Sequence, residues 1–177
     1  MTVIETLLGR NETFAKTGFS HDLKIIPSSK TMIVGCVDPR VDPADIFGLT
    51  LGEAAIIRNV GGRVTPDLVH TLTMLGVVAK AGGGQLGPGW NLIVLHHTDC
   101  GITRLNHSPE LLAEYFGVAA TELEGLAVND PYASVKIDVA ALKANPDLPG
   151  AFLVSGLVYD VATGHIQTVV EPAPLRP

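Results

Sequence analysis

The chain has few cysteines, little charge and no long apolar run, and each shortage excludes a class of protein. Two cysteines in 177 residues cannot make the disulfide framework of a small secreted domain. Charged residues are 17% of the chain, and 12 Lys and Arg against 18 Asp and Glu leave a net charge of -6. That sign, with no cluster of Lys or Arg, argues against a nucleic-acid partner. No apolar run approaches the roughly 18 residues of a membrane span, so no membrane partner is expected either. The first residues, Met1 to Leu8, lack the basic start of a signal peptide and carry Glu5, where transit peptides avoid acid. A reduced, cytoplasmic protein is the expectation.

Apolar residues, by contrast, make up 46% of the chain. With so little charge this predicts surface buried between subunits, hence a homodimer or homotetramer. The length fits one domain over 1–177, with a core large enough to fold unaided. Val3, Ile4, Leu7, Leu8 and Phe14 recur at roughly helical spacing over 2–16, so residues 1–20 read as an N-terminal helical arm. Because it precedes the first strand, that helix can pack on its own domain or lie across a partner.

Further along, strands and helices alternate. Thr31 to Cys36 reads as a strand, Val41 to Leu49 as a short helix with Pro43 in its first turn, and Ala54 to Ile57 as a second strand. A helix follows from Pro66 to Lys80, with Leu68, Val69, Leu72, Leu75 and Val78 as its apolar stripe. The glycine-rich stretch 81–89 lacks the Lys and Ser/Thr of a phosphate-binding loop and reads as a connector. The buried strand Leu92 to Leu95 leads into His96 and His97. Two short helices are expected over 109–126 and a longer one over 132–144. A strand over 151–159 then turns back into 165–170, whose alternation marks the outer strand of a hairpin. The fold class is α/β: a mainly parallel sheet flanked by helices, with a C-terminal hairpin strand at its edge.

In such sheets ligands bind beyond the carboxyl ends of the strands, where the strand order reverses. Three of these strands end in polar groups: Cys36 with Asp38 and Arg40, Arg58 with Asn59, and His97 with Cys100. Cys36, Asp38 and Arg40 occupy alternate positions, so in extended chain they share a face. The bland alternative is a core cysteine beside a surface Asp–Arg pair. Two Cys and one His leave a fourth position free, which is how a catalytic zinc site is built. His96 points to the opposite face and reads as structural. His21, His70, His107 and His165 read as surface or helix-face residues, with a proton shuttle among them as the alternative. A different class of function is a redox module in which Cys36 and Cys100 form a reversible disulfide.

The segments Cys36-x-Asp38-x-Arg40, Arg58-Asn59-x-Gly61-Gly62 and His97-Thr98-Asp99-Cys100-Gly101 resemble, in order, the three signature segments of the beta-class carbonic anhydrases. Gly156 to Gly164 resembles the closing hairpin of that family's shorter branch, and the likeness spans about residues 30 to 170. The resemblance implies Zn2+ held by Cys36, His97 and Cys100. It also implies an Asp38–Arg40 pair that either frees the fourth position or lets Asp38 occupy it, and active sites at a dimer interface. The implied reaction is hydration of CO2 by zinc-bound hydroxide. The same branch includes enzymes that hydrolyse carbonyl sulfide or carbon disulfide, so COS or CS2 is the alternative substrate. Pro39 stands where the family has a small residue, and Val60 replaces an alanine. Both departures bear on substrate preference rather than on the ligands.

Overall fold

A computed structural model describes residues 1–149 and 151–176. The first helix, α1 (Val3–Thr17), is closed by a capping box in which Thr2 and Glu5 satisfy each other's backbone N–H groups. It buries none of its residues. Its apolar stripe stays open to solvent, from 41% exposure at Phe14 to 74% at Val3.

The remaining elements are β1 (Thr31–Cys36), α2 (Pro43–Phe47), β2 (Ala54–Asn59), α3 (Pro66–Ala81), β3 (Asn91–His97), α4 (Pro109–Phe116), α5 (Pro131–Ala144), β4 (Leu153–Tyr159) and β5 (Ile166–Pro174). α2, α3, α4 and α5 each begin with a proline, whose fixed φ suits the first turn and whose missing N–H is not needed there. Asp42, Thr65 and Asp130 cap three of these starts with their side-chain oxygens.

The strands form one sheet in the order β2-β1-β3-β4-β5. β1 pairs in parallel with β2 and β3, and β3 with β4, while β5 runs antiparallel to β4. The chain therefore leaves β1 first to one side and then to the other, and the switch point lies between β1 and β3. Val34, Leu92, Val94 and Val154 are fully buried along the middle of the sheet, packed against α3 and α5. Each such side chain contributes on the order of 1.5–3 kcal/mol by leaving water. A second, smaller cluster of Val41, Ile102, Leu112 and Phe116 encloses Cys36 and Cys100 at the strand ends.

Three details differ from the sequence expectation. β5 runs on through Pro172 to Pro174, where a proline-rich tail was expected; these prolines are tolerated because β5 is the sheet's edge. The second helix of 109–126 is a 3-10 segment, Ala120–Leu126, and a further 3-10 segment covers Gly101–His107. On α3 the core takes Leu68, Leu72 and Ala79, while Val78 lies 44% exposed. No helix among the described residues is long and apolar enough to cross a membrane.

Candidate metal centre

The carboxyl ends of β1 and β3 bring Cys36, His97 and Cys100 together, with their donor atoms all within 4.8 Å of one another. Cys36 ends β1 and His97 ends β3. Cys100 is turned back toward them by Asp99, which takes the left-handed φ of 51° that aspartate tolerates better than most residues. All three side chains are buried or nearly so, at 4%, 2% and 9% exposure.

The donor chemistry fits zinc. The Thr98 carbonyl, 2.9 Å from His97 Nδ1, can only accept, so Nδ1 carries the proton and Nε2 presents a bare lone pair. That Nε2 is buried without a hydrogen-bond partner, a cost that a bound cation taking the lone pair would remove. The two sulfurs stand 3.8 Å apart. Two thiolates, each about 2.3 Å from one ion at the tetrahedral angle, would stand about 3.8 Å apart as well. The shared proton between them holds the Cys36 thiol far below its ordinary pKa, helped by the N–H groups of Asp38 and Gly61. The same sharing, reinforced by burial, pushes Cys100 up. One thiolate is thus favoured, and a cation held by Cys36, His97 and Cys100 would displace the second proton.

Asp38 and Arg40 lie at the rim. Arg40 grips both carboxylate oxygens, through Nε to Oδ1 at 3.0 Å and Nη2 to Oδ2 at 2.7 Å, and its own backbone N–H reaches Oδ1 at 2.9 Å. Turned onto Arg40, the carboxylate is not part of the three-donor cluster. Hydrogen bonds from Arg40 hold the Asp38 carboxyl down to about 2. Arg40 is fixed in turn by Asp99, through its carboxylate at 2.9 Å and its carbonyl at 3.0 Å. Arg58 braces the loop from beneath: it donates to the carbonyls of Cys36 and Asp38, each at 2.8 Å, and pairs with Asp42.

Residues 31–124 match the family model for carbonic anhydrase. The chain belongs to the beta-carbonic anhydrase family. It is 30% identical to beta-carbonic anhydrase 1 of Mycobacterium tuberculosis over 171 residues, covering 96% of this chain and 99% of that protein. Among solved structures, the carbonic anhydrase of Streptococcus mutans superposes with a TM-score of 0.74 at 33% identity, over 96% of this chain and 98% of that one. The family's relatives also include the carbon disulfide hydrolase of Acidianus sp., 27% identical over 93% of this chain and 87% of that protein.

The structure also gathers residues that sequence reasoning did not single out. Asp138 on α5 is 2% exposed and pairs with Arg63, itself 1% exposed, and with His96. Burial works against its carboxylate, yet the hydrogen bonds from His96 and Arg63 outweigh it and hold the pKa below the usual range. Ser134 and Asp138 are four residues apart and share the buried stripe of α5 with Val135, Val139 and Leu142. Two polar residues at that spacing on an apolar face were the available signal. His96, read as structural, makes both its ring contacts in this network, while His21, His70, His107 and His165 are exposed.

Proposed function

We propose that the chain is a zinc enzyme that hydrates CO2 to hydrogen carbonate, with the metal held by Cys36, His97 and Cys100. The observation that carries this reading is the bare, buried Nε2 of His97 between two sulfurs spaced for one tetrahedral ion. Bound there, zinc would acidify a water at its open fourth position, as it does in carbonic anhydrase. Two thiolate donors leave the ion less positive than three imidazoles do, so the protein must assist.

Asp38 is placed to give that assistance. Its carboxylate, held down to about 2, is ionised near neutral pH, and oxygen lone pairs not taken by Arg40 can accept a hydrogen bond from the attacking water. Arg40 fixes the angle at which they do so, and Asp99 fixes Arg40. Asp38 thus orients the nucleophile while Arg40 keeps Asp38 off the fourth position. A reversible disulfide between Cys36 and Cys100 would give this three-residue arrangement no task. Val37 and Val60, 51% and 42% exposed beside these groups, offer apolar contact suited to a small linear molecule without a polar handle.

The second reading is hydrolysis of COS to CO2 and hydrogen sulfide, or of CS2, at the same site. What favours it is Val60 and Pro39, the two departures from the usual motif, both beside the reacting groups. We also propose that the enzyme is a homodimer or a larger homo-oligomer, because the stripe on α1 has no cover among the described residues, and that it acts in the cytoplasm. The test is a set of specificity constants for CO2, COS and CS2 on one zinc-replete preparation. Efficient CO2 hydration is expected. An extra apolar contact shifts preference by only about 1–3 kcal/mol, so a COS preference beyond roughly 200-fold would require the second reading. Efficient COS or CS2 hydrolysis with CO2 hydration at background would overturn the first.

A further inference from the structure

We propose that Asp138 is a positioning residue of the metal centre, setting two of its donors from behind through Arg63 and His96; the proposal rests on the zinc reading above. Asp138 lies on α5, beyond residues 31–124 that carry the family match. Its Oδ2 accepts from Arg63 Nε at 2.8 Å, from the Val64 N–H at 3.0 Å and from His96 Nε2 at 3.1 Å. Its Oδ1 accepts from Arg63 Nη2 at 3.1 Å. One carboxylate therefore ties α5 to the segment after β2 and to the end of β3.

Each arm ends at a metal donor. Along the first, Arg63 is clamped at its backbone by Asn59, which accepts its N–H and donates to its carbonyl, both at 2.8 Å. Its guanidinium is clamped by Asp138, by the Leu126 carbonyl at 2.9 Å, and by the Phe116 ring with its centroid 4.8 Å away. Held at both ends, the turn 59–63 presents the Gly61 N–H to Cys36 Sγ at 3.3 Å. Along the second arm, His96 is locked between Asp138 and Ser134 Oγ, the latter at 2.8 Å from Nδ1. His97 follows it on the opposite face of β3, so fixing the His96 ring fixes the backbone from which His97 projects.

A buried ion pair is weak evidence for stability, because well-packed apolar residues often do as well. Partners outside the coordination sphere, however, commonly change metal affinity by about 10- to 100-fold when removed. That contrast supplies the test. The double variant Arg63→Met/Asp138→Leu removes both charges together and should still fold, since neither charge is left unpaired, although the Val64 N–H and His96 Nε2 lose their acceptor. Zinc affinity would be measured by chelator competition on parent and variant, alongside urea unfolding of each in the zinc-free form. The expected result is a zinc-free chain that still folds cooperatively, somewhat less stable than the parent, with zinc held about 10- to 100-fold more weakly. Unchanged zinc affinity in a folded double variant overturns the proposal and leaves the pair a structural one. Should the double variant not fold, His96→Gln cuts one arm and leaves the ion pair in place. A several-fold loss of zinc affinity there supports the proposal, and parental affinity overturns it. A parent chain that takes up no zinc would instead refute the metal reading beneath it.

Discussion

Replacing Gly62 by alanine should damage the metal centre without touching any proposed ligand. Gly62 sits at φ 65°, and a Cβ there would lie 2.9 Å from the carbonyl carbon of Gly35, 3.0 Å from the N of Cys36 and 3.0 Å from the Leu95 oxygen. All three are backbone atoms, on β1 and β3 where the strands part beneath the site, so no flexible side chain can yield. Left-handed backbone costs an L-residue roughly 1–2 kcal/mol, and forced overlap in a packed interior adds about 1–3 kcal/mol. Gly48→Ala is the matched control: Gly48 has φ 63° and nothing within 4 Å of its added Cβ, so only the first of these costs applies. Urea unfolding at one fixed chain concentration should place Gly62→Ala about 1–3 kcal/mol below Gly48→Ala. The substitution should also lower zinc occupancy, because relief of the overlap must move the Cys36 backbone. Equal stability of the two variants, with full zinc in both, would refute the reasoning.

Cys100→Ser should lose zinc and activity together, because a hydroxyl is a far poorer zinc donor than a thiolate, and metal analysis of the purified variant decides it. Asp38→Ala should retain zinc and fold while losing about 100-fold or more in kcat/KM, the scale of a positioned proton acceptor; near-normal kinetics would remove Asp38 from the mechanism. Deleting residues 1–20 should leave the core intact, since α1 buries nothing in its own chain, yet shift sedimentation toward smaller species. A full-length monomer with full activity at micromolar concentration would contradict the oligomeric reading.

Much of the architecture was legible because its signals are local. The apolar runs ending at Cys36, Asn59 and His97 mark parallel strands, and their carboxyl ends must converge in such a sheet, so the three candidate donors could be placed together. The prolines that open α2 and α3 and the turn through Gly164 were equally readable. What escaped depends on neighbours far along the chain. β5 carries prolines that would break an inner strand, and only its position at the sheet edge lets pairing continue to Pro174. Val78 fits the apolar spacing of α3, but Ala79 takes the place against the core and Val78 faces out. Asp138 and Arg63 are 75 residues apart, and neither stretch says which buried charge answers the other. Arg40 was expected to serve Asp38 alone. The left-handed turn at Asp99 brings in a second carboxylate that no spacing rule announces.

The same division separates metal binding from substrate choice. The proposed donors belong to strand ends whose position is set by a buried sheet, with Gly61, Asn59 and Arg63 holding them from within. The groups around the proposed substrate lie outside that frame: the Arg40 side chain that holds Asp38 is 49% exposed, and Val37 and Val60, proposed to meet substrate, are open to water. A site that must bind a small apolar molecule gains little from walls that water also touches, since the driving force is area removed from water. The uncovered stripe of α1 poses the same problem on a larger scale, as does the exposed face of α3 at Met74, Val77 and Val78. The homo-oligomer proposed above would cover all of them. On that view the metal centre is a property of the single chain, whereas preference between CO2 and COS belongs to the assembled surface around Val60 and Pro39. Substitutions at those two positions should therefore move substrate preference and leave zinc affinity alone, while substitutions at Arg63 and Asp138 should do the reverse.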